Sequence, residues 1–402
     1  MTACILVVAM ASSVHTLRWL QMVESDRYAV VLVPATRWPN LPEFESSPAI
    51  RSRDDLRSLA PGQIGIWAAS PPGTHAGAAL PLPIFCRDRA ELVQGATVAD
   101  AVRTLRPLMV HSMEVQHASY ACFEASKLIG ADFPPWLVSN WGSDLFLYEK
   151  LEAHRAVLQE LVARADALHC ECRRDAAITR GLGYDSDKPI YVMPASGGED
   201  LQQLPMPRIP PSERDVILVK GYHGWSGRAM HVLSALLLVA PQLRDFRVRI
   251  VLASEPVAAM AREVARVTGL DIQLEAWAED RQLALRRTSS ARISVGIGIS
   301  DGIGTSFLEA MALGAFPVAA TTACACEWIR DGIDGLIVDP HDVDALAQAI
   351  ARAATDDTLV DTASLRNRRE VEQRWDARIN RGLALHMYEK IMERAQHARK
   401  HR

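Results

Sequence analysis

The sequence predicts an α/β protein made of two Rossmann-like domains, each a parallel sheet with helices on both faces, followed by a tail helix. Three observations carry that reading. The 402 residues are too many for one ordinary domain and enough for two cores. Short apolar runs of strand length alternate with amphipathic segments, the pattern of strands joined by covering helices. A proline cluster, Pro205, Pro207, Pro210 and Pro211, interrupts the pattern midway, after which it restarts. The boundaries that follow are an N-terminal domain over 1–204, a linker over 205–213, a C-terminal domain over 214–370, and a tail over 371–402 packing back toward the first domain.

In the first half, residues 5–9 read as a buried strand and 15–23 as the helix that follows Ser12 and Ser13. Further strands are expected at 29–33, 64–68, 108–110, 136–139, 167–170 and 190–192. Helices are expected at 118–129, 150–165 and 173–180. In the second half, strands are expected at 216–219, 248–252, 271–274, 293–299 and 316–320. Helices fall between them at 229–239, 257–267, 279–288 and 306–313, then at 343–354. The stretch 371–394 reads as one long helix. Open α/β sheets bind ligands beyond the carboxyl ends of their strands, so two such domains place the site in the cleft between them.

Composition narrows the class. The chain is 49% apolar and 23% charged, as soluble globular proteins are. A formal net charge of −4 argues against nucleic acid as the main partner. A basic cluster at the end, Arg394, Arg399, Lys400 and Arg402, is a candidate for peripheral contact with an anionic membrane face. No run of eighteen apolar residues occurs, and the first strand has no basic segment before it, so a cytoplasmic protein without a signal peptide is expected. Seven scattered cysteines, with no Cys-x-x-Cys, read as buried small residues rather than a disulfide framework or a zinc site. No metal and no cofactor is expected.

The chemistry concentrates in residues 300–321. A buried strand ends in Asp301, and Gly302 and Gly304 let the backbone approach a ligand. A helix starts near Thr305 or Ser306, where free N–H groups and the positive dipole end favour an anion such as phosphate. Asp301 and Glu309 could face that ligand, since carboxylates accept hydrogen bonds from sugar or ribose hydroxyls. Two plainer readings remain beside this one: Ser306-x-x-Glu309 fits a capping box, and Asp301-Gly302 fits a turn.

These residues resemble glycosyltransferase family 4, retaining enzymes of the GT-B fold. The family shows an acidic residue, seven residues, and then Glu-Ala-Met-Ala-x-Gly-x-Pro-Val. Here Asp301 is followed after seven residues by Glu309-Ala-Met-Ala-Leu-Gly314 and, one residue late, by Pro317-Val318. Glu327, Asp331, Gly335 and Pro340 match a downstream block, Tyr388 lies in a segment like the family's final helix, and Ser13-Val-His15-Thr-Leu-Arg18-Trp19 is similar to an N-terminal block of some members. The resemblance implies that Asp301 contacts the donor sugar and Glu309 the nucleotide ribose. It implies that Gly302, Ile303, Gly304, Thr305 and Ser306 present backbone to the sugar and diphosphate, and that Ser12 and Ser13 approach the phosphates. His15 is a further catalytic candidate.

Two departures matter. The family's diphosphate-binding Arg and Lys are replaced by Tyr222 and Gly227, so Lys220 and Arg228 are the candidate cations. The family's His-Gly-x-Asp is Trp141-Gly-Ser-Asp144 here, which makes Trp141 and Asp144 candidate substrate contacts, with His111 and His117 nearby. Asp185-x-Asp187 and Asp342-x-Asp344 read as a turn and a helix cap rather than metal ligands. The expected activity is transfer of a sugar from a nucleotide-diphosphate sugar to an acceptor hydroxyl, with retention, in assembly of a bacterial cell-surface glycan or glycolipid. A nucleotide-sugar 2-epimerase and a non-catalytic nucleotide-sugar-binding protein are the alternatives.

Overall fold

The computed structural model describes residues 3–68, 80–84, 86–276 and 280–400. Of the basic cluster at the chain's end, Arg402 lies outside the described residues, as does the first residue of the helix expected at 279–288. The chain forms two compact units, Met1–Gly198 with Ala377–Arg402, and Glu199–Asp376.

The first unit is built on eight parallel strands. They are β1 (Cys4–Ala9), β2 (Ala29–Pro34), β3 (Ala49–Ile50), β4 (Ile64–Trp67), β5 (Met109–Met113), β6 (Trp136–Ser139), β7 (Ala167–Cys170) and β8 (Ile190–Val192). Their order is β3-β4-β2-β1-β5-β6-β7-β8, and Val7 of β1 is flanked by Leu32 and His111. Every residue of β1 is buried because both sheet faces are covered. Cys4, Leu6 and Val8 join one core with Val102 and Phe123, while Ile5, Val7 and Ala9 join another with Trp19, Met387 and Tyr388. The long final helix, Ala377–Lys400, thus contributes to the first unit's core.

The second unit has six parallel strands: β9 (Val216–Lys220), β10 (Arg247–Val251), β11 (Asp271–Glu275), β12 (Ala291–Gly296), β13 (Phe316–Ala320) and β14 (Leu336–Val338). The order is β11-β10-β9-β12-β13-β14. The chain runs outward from β9 to β11, then returns to lay β12 on the other side of β9. This reversal opens a crevice at the carboxyl ends of β9 and β12, the position where open α/β sheets bind ligands.

Two expectations differ from the structure, and three elements carry no sequence signal. The proline-rich stretch 205–213 lies inside the second unit and not between the two. Pro211 is buried, and Ser212 bonds Asp361 through its N–H at 3.0 Å and its hydroxyl at 2.7 Å. The chain passes between units at Gly198/Glu199 and at Asp376/Ala377 instead. Residues 371–374 complete the helix Asp357–Arg374 of the second unit, where Val371 is buried, and the tail helix begins only at Ala377. Strands β3 and β14 are too short to show a period, and the helix Gly95–Leu105 opens on Gly-Ala-Thr, which carries no helix-start signal.

Candidate functional site

The crevice of the second unit is an open cleft at the carboxyl ends of β9 and β12. Lys220, Tyr222, Ser226 and Gly227 line one side, and Ser300, Asp301, Gly302, Ile303, Gly304 and Ser306 line the other.

The second wall is the loop between β12 and the helix Thr305–Ala312. Its cap position is Gly304, which has no side chain to satisfy the helix's first N–H groups. Gly304 carbonyl accepts from Phe307 N–H at 2.9 Å and Leu308 N–H at 3.2 Å. The N–H groups before these form the anion-seeking end of the helix. The capping box is therefore not formed: Ser306 sits inside the helix. Asp301 closes the loop by accepting from Gly302 N–H at 2.9 Å. A side chain at position 304 would place its Cβ 3.3 Å from Asp301 Oδ2, so Gly304 keeps that carboxylate at the helix end. Cys324 N–H donates to Gly302 carbonyl at 3.0 Å and ties the loop from behind.

The first wall is the turn over residues 221–228, held against the strand-end residues 297–299. Ile299 N–H donates to Ser226 carbonyl at 2.8 Å, and Arg228 N–H to Ile297 carbonyl at 2.9 Å. A Cβ on Gly227 would lie 2.2 Å from the Tyr222 carbonyl oxygen. No side chain fits there, which explains why glycine stands where the resemblance led one to look for lysine.

The two candidate cations part company. Lys220 ends β9, lines the cleft and forms no ion pair among the described residues. Arg228 turns its guanidinium onto its own loop, donating to the carbonyls of Gly227 at 2.8 Å, Gly224 at 3.0 Å and Ser226 at 3.4 Å. Arg228 does not line the cleft; it is a strut of the turn. The expectation of paired cations reduces to Lys220 plus the helix start.

Glu309 and Thr305 are also outside the cleft lining. Glu309 is partly buried and its Oε1 accepts from Arg281 at 2.9 Å. Leu252, at the cleft edge after β10, adopts φ +62, a left-handed conformation unusual for leucine. Neither Arg281 nor Leu252 carries a sequence signal. One acts through a contact distant in sequence and the other through a backbone angle.

In the first unit, the candidates gather after β1, β5 and β6. Ser13 caps the helix Val14–Met22, its hydroxyl accepting from His15 N–H at 3.2 Å. Ser12 beside it is half-buried. The His15 and Trp141 rings meet edge to face at 5.4 Å. Trp141 Nε1–H is buried with no acceptor among the described residues. Asp144 is buried and spent on backbone: it accepts from Trp141 N–H at 2.8 Å and Val115 N–H at 3.1 Å. Burial, then the nearby Glu114 carboxylate, hold its carboxyl well above the usual range, against the pull of those N–H groups. Asp144 thus positions Trp141 rather than standing open to a substrate.

His111 and His117 are core residues. His111 is fully buried with both ring nitrogens bonded, to Tyr388 and Ser139. His117 pairs with Glu114 at 2.7 Å and with Cys86 Sγ at 3.4 Å. Burial opposes its charge, but the Glu114 carboxylate and both hydrogen bonds outweigh it and push His117 up to about 10. Glu114 itself sits at φ +75 and receives the N–H groups of Gln116 and His117, at 3.1 and 2.6 Å. Elsewhere, Asp342 caps the helix Val343–Thr355, and Asp185 closes a turn by accepting from Asp187 N–H. Among the described residues, no helix is long and apolar enough to cross a membrane.

Comparison with known proteins agrees with this architecture. Residues 216–356 match the family described as glycosyl transferases group 1. No curated protein sequence matches the chain. Among solved structures, HepE of Anabaena in complex with UDP and glucose is similar at 14% identity and TM-score 0.69, over 96% of this chain and 100% of that one. Sucrose-phosphate synthase from Thermosynechococcus elongatus is similar at 15% identity and TM-score 0.71, over 97% and 99%. A glycosyltransferase from Rickettsia africae ESF-5 is similar at 14% identity and TM-score 0.65, over 97% and 99%. At such identities the likeness is one of fold. The chain has the two-sheet fold of GT-B glycosyltransferases, and within its second unit residues 216–356 match the family described as glycosyl transferases group 1.

Proposed function

We propose that the protein is a retaining glycosyltransferase that moves a sugar from a nucleotide-diphosphate sugar to an acceptor hydroxyl. The observation that carries the reading is the convergence on one cleft of Lys220, Asp301 and the uncapped start of the helix Thr305–Ala312. One cation and a row of N–H groups suit a diphosphate, and a carboxylate beside them suits sugar hydroxyls. The glycosyl transferases group 1 match, and the UDP and glucose bound by the similar HepE, support the same donor class.

In this reading Lys220 and the helix start bear the charge that grows on the leaving phosphate as the glycosidic bond breaks, the work a metal ion does in other sites. Asp301 orients the donor sugar and Glu309 the ribose. Ser12, Ser13, His15 and Trp141 are the first unit's substrate-binding candidates, with the Trp141 Nε1–H, which has no acceptor among the described residues, as a donor. Among the described residues no pair of carboxylates lines the cleft for a double displacement. The acceptor hydroxyl therefore attacks the face the phosphate leaves, and the leaving phosphate takes its proton. The acceptor class we propose is a bacterial cell-surface glycan or glycolipid, reached in the cytoplasm at the inner membrane face.

A thermal-shift screen across nucleotide-diphosphate sugars tests the donor, because a ligand that binds the folded state alone raises its apparent stability. The best donor, labelled in its sugar, is then incubated with and without acceptor extract. Transfer that needs acceptor supports the reading, whereas epimerised donor without acceptor points to a 2-epimerase. If Asp301→Ala and Glu309→Ala leave donor binding and transfer intact, the site is wrongly placed.

A further inference from the structure

One guanidinium in the second unit serves two carboxylates. Arg281 Nη1 donates to Glu309 Oε1 at 2.9 Å, and Arg281 Nη2 bonds Glu199 Oε2. The two acid side chains are 14% and 15% exposed, the arginine 37%, so the cluster is largely screened from water. We propose that Arg281 is the positioning residue for Glu309, fixing the carboxylate that reads the nucleotide ribose, with Glu199 as its anchor. The proposal rests on the reading of Glu309 as the ribose-binding residue.

Three features of this chain support it. Glu199 is held by its backbone: its N–H donates to Trp375 carbonyl at 3.0 Å, and it pairs with Asp376 in a parallel bridge. The anchor is thus set independently of the site. Arg281 is the first residue of the helix Arg281–Ser289, whose cap Asp280 accepts from Gln282 N–H at 2.9 Å. A cation at a helix N-terminus opposes the helix dipole and is disfavoured there. Helix stability therefore does not account for arginine at this position; the carboxylates do. Finally, Arg281 bridges two neighbouring carboxylates that would otherwise repel one another. A carboxylate has about four acceptor sites, so a bond to Arg281 does not exhaust Glu309. The planar fork of arginine fixes direction as well as charge, which lysine cannot do.

The proposal predicts an effect confined to ribose recognition. Isothermal titration would use UDP, ADP and GDP, each against its 2′,3′-dideoxy form, with wild type, Arg281→Gln, Arg281→Lys and Glu309→Gln. Wild type should prefer the ribose form of its nucleotide by about tenfold, and Glu309→Gln should level the two forms. Arg281→Gln should weaken the ribose form about five- to tenfold and the dideoxy form less than twofold, with Arg281→Lys between. Equal loss of both forms, or no loss, while Glu309→Gln still levels them, overturns the role of Arg281 and leaves that of Glu309 standing. A Glu309→Gln protein that keeps the wild-type preference overturns the reading of Glu309 itself, and absence of binding by all three nucleotides overturns the donor class. Where Arg281→Gln does not fold, Arg281→Lys decides, since it keeps the charge and loses the fork.

Discussion

Nδ1 of His111 lies 2.7 Å from the hydroxyl oxygen of Tyr388, in the interior of the first unit. The contact is one link in a chain whose direction is fixed by its last acceptor. His169 Nε2 meets Met193 carbonyl at 2.9 Å, and a carbonyl only accepts, so Nε2 carries the proton. His169 Nδ1 therefore accepts from the Ser139 hydroxyl at 2.8 Å, and Ser139 oxygen accepts from His111 Nε2–H at 2.6 Å. His111 Nδ1 is left to accept from Tyr388, whose oxygen accepts from Trp19 Nε1–H at 3.0 Å. Every donor is used and both imidazoles are neutral.

Tyr388→Phe deletes the central hydroxyl and leaves a buried tryptophan N–H and a buried imidazole nitrogen without partners. Stability should fall by about 2–4 kcal/mol. A urea denaturation midpoint that does not move would show that the chain of hydrogen bonds is not what fastens the tail helix to its core.

The same chain makes stability depend on pH. Burial holds His169 down at about 4 and His111 well below its ordinary value. Between about pH 6.5 and 4 the unfolded chain binds protons there that the folded chain does not, so stability is lost as pH falls through that window. His169 alone accounts for about 3 kcal/mol. His117, raised to about 10 by Glu114 and Cys86 against its burial, acts the other way: its contribution is complete below about pH 6.5 and is lost as pH rises toward 10. Denaturation across pH should show a maximum near 6.5. His169→Gln should flatten the acid limb and His117→Gln the alkaline one; limbs unchanged by these variants would contradict the assignment.

Lys220 and Arg228 should separate in a paired experiment. Lys220→Met removes a cation from the cleft and should weaken inorganic pyrophosphate and nucleotide-diphosphate binding by about tenfold or more, with the melting temperature nearly unchanged. Arg228→Met removes three bonds to loop carbonyls and should lower stability by about 1–3 kcal/mol, with affinity falling only as the turn loosens. The reverse pattern would restore Arg228 as the phosphate ligand.

Two glycines of the cleft should differ in kind. Gly227→Ala drives a Cβ to 2.2 Å from a backbone oxygen, so the turn must open, with a loss of about 2–4 kcal/mol. Gly304→Ala meets the end of Asp301 at 3.3 Å and Ser306 Oγ at an ordinary 3.9 Å, on a backbone that alanine tolerates at φ −61. Stability should change by less than about 1 kcal/mol, while transfer activity falls because the carboxylate shifts. Equal effects of the two substitutions on stability would refute this distinction.

The sequence by itself determined the two-sheet α/β architecture, because strand-length apolar runs alternating with 3.6-periodic segments have few other ways to bury themselves. It also determined the anion-seeking loop at Asp301–Gly304, since glycine and helix-start chemistry are local. Tertiary structure decided what depends on distant partners. Ser306 does not cap its helix, because the turn starts two residues earlier at Gly304. Arg228 faces its own loop carbonyls and leaves Lys220 as the one cation lining the cleft among the described residues. Asp144 serves backbone N–H groups, and His111 lies in the core with Tyr388, 277 residues away in sequence. Arg281 reaches Glu309 across 28 residues and Glu199 across 82. A residue's type sets which bonds it can make, but which of them form depends on which groups the fold brings within about 3 Å, and local periodicity carries no record of that distance.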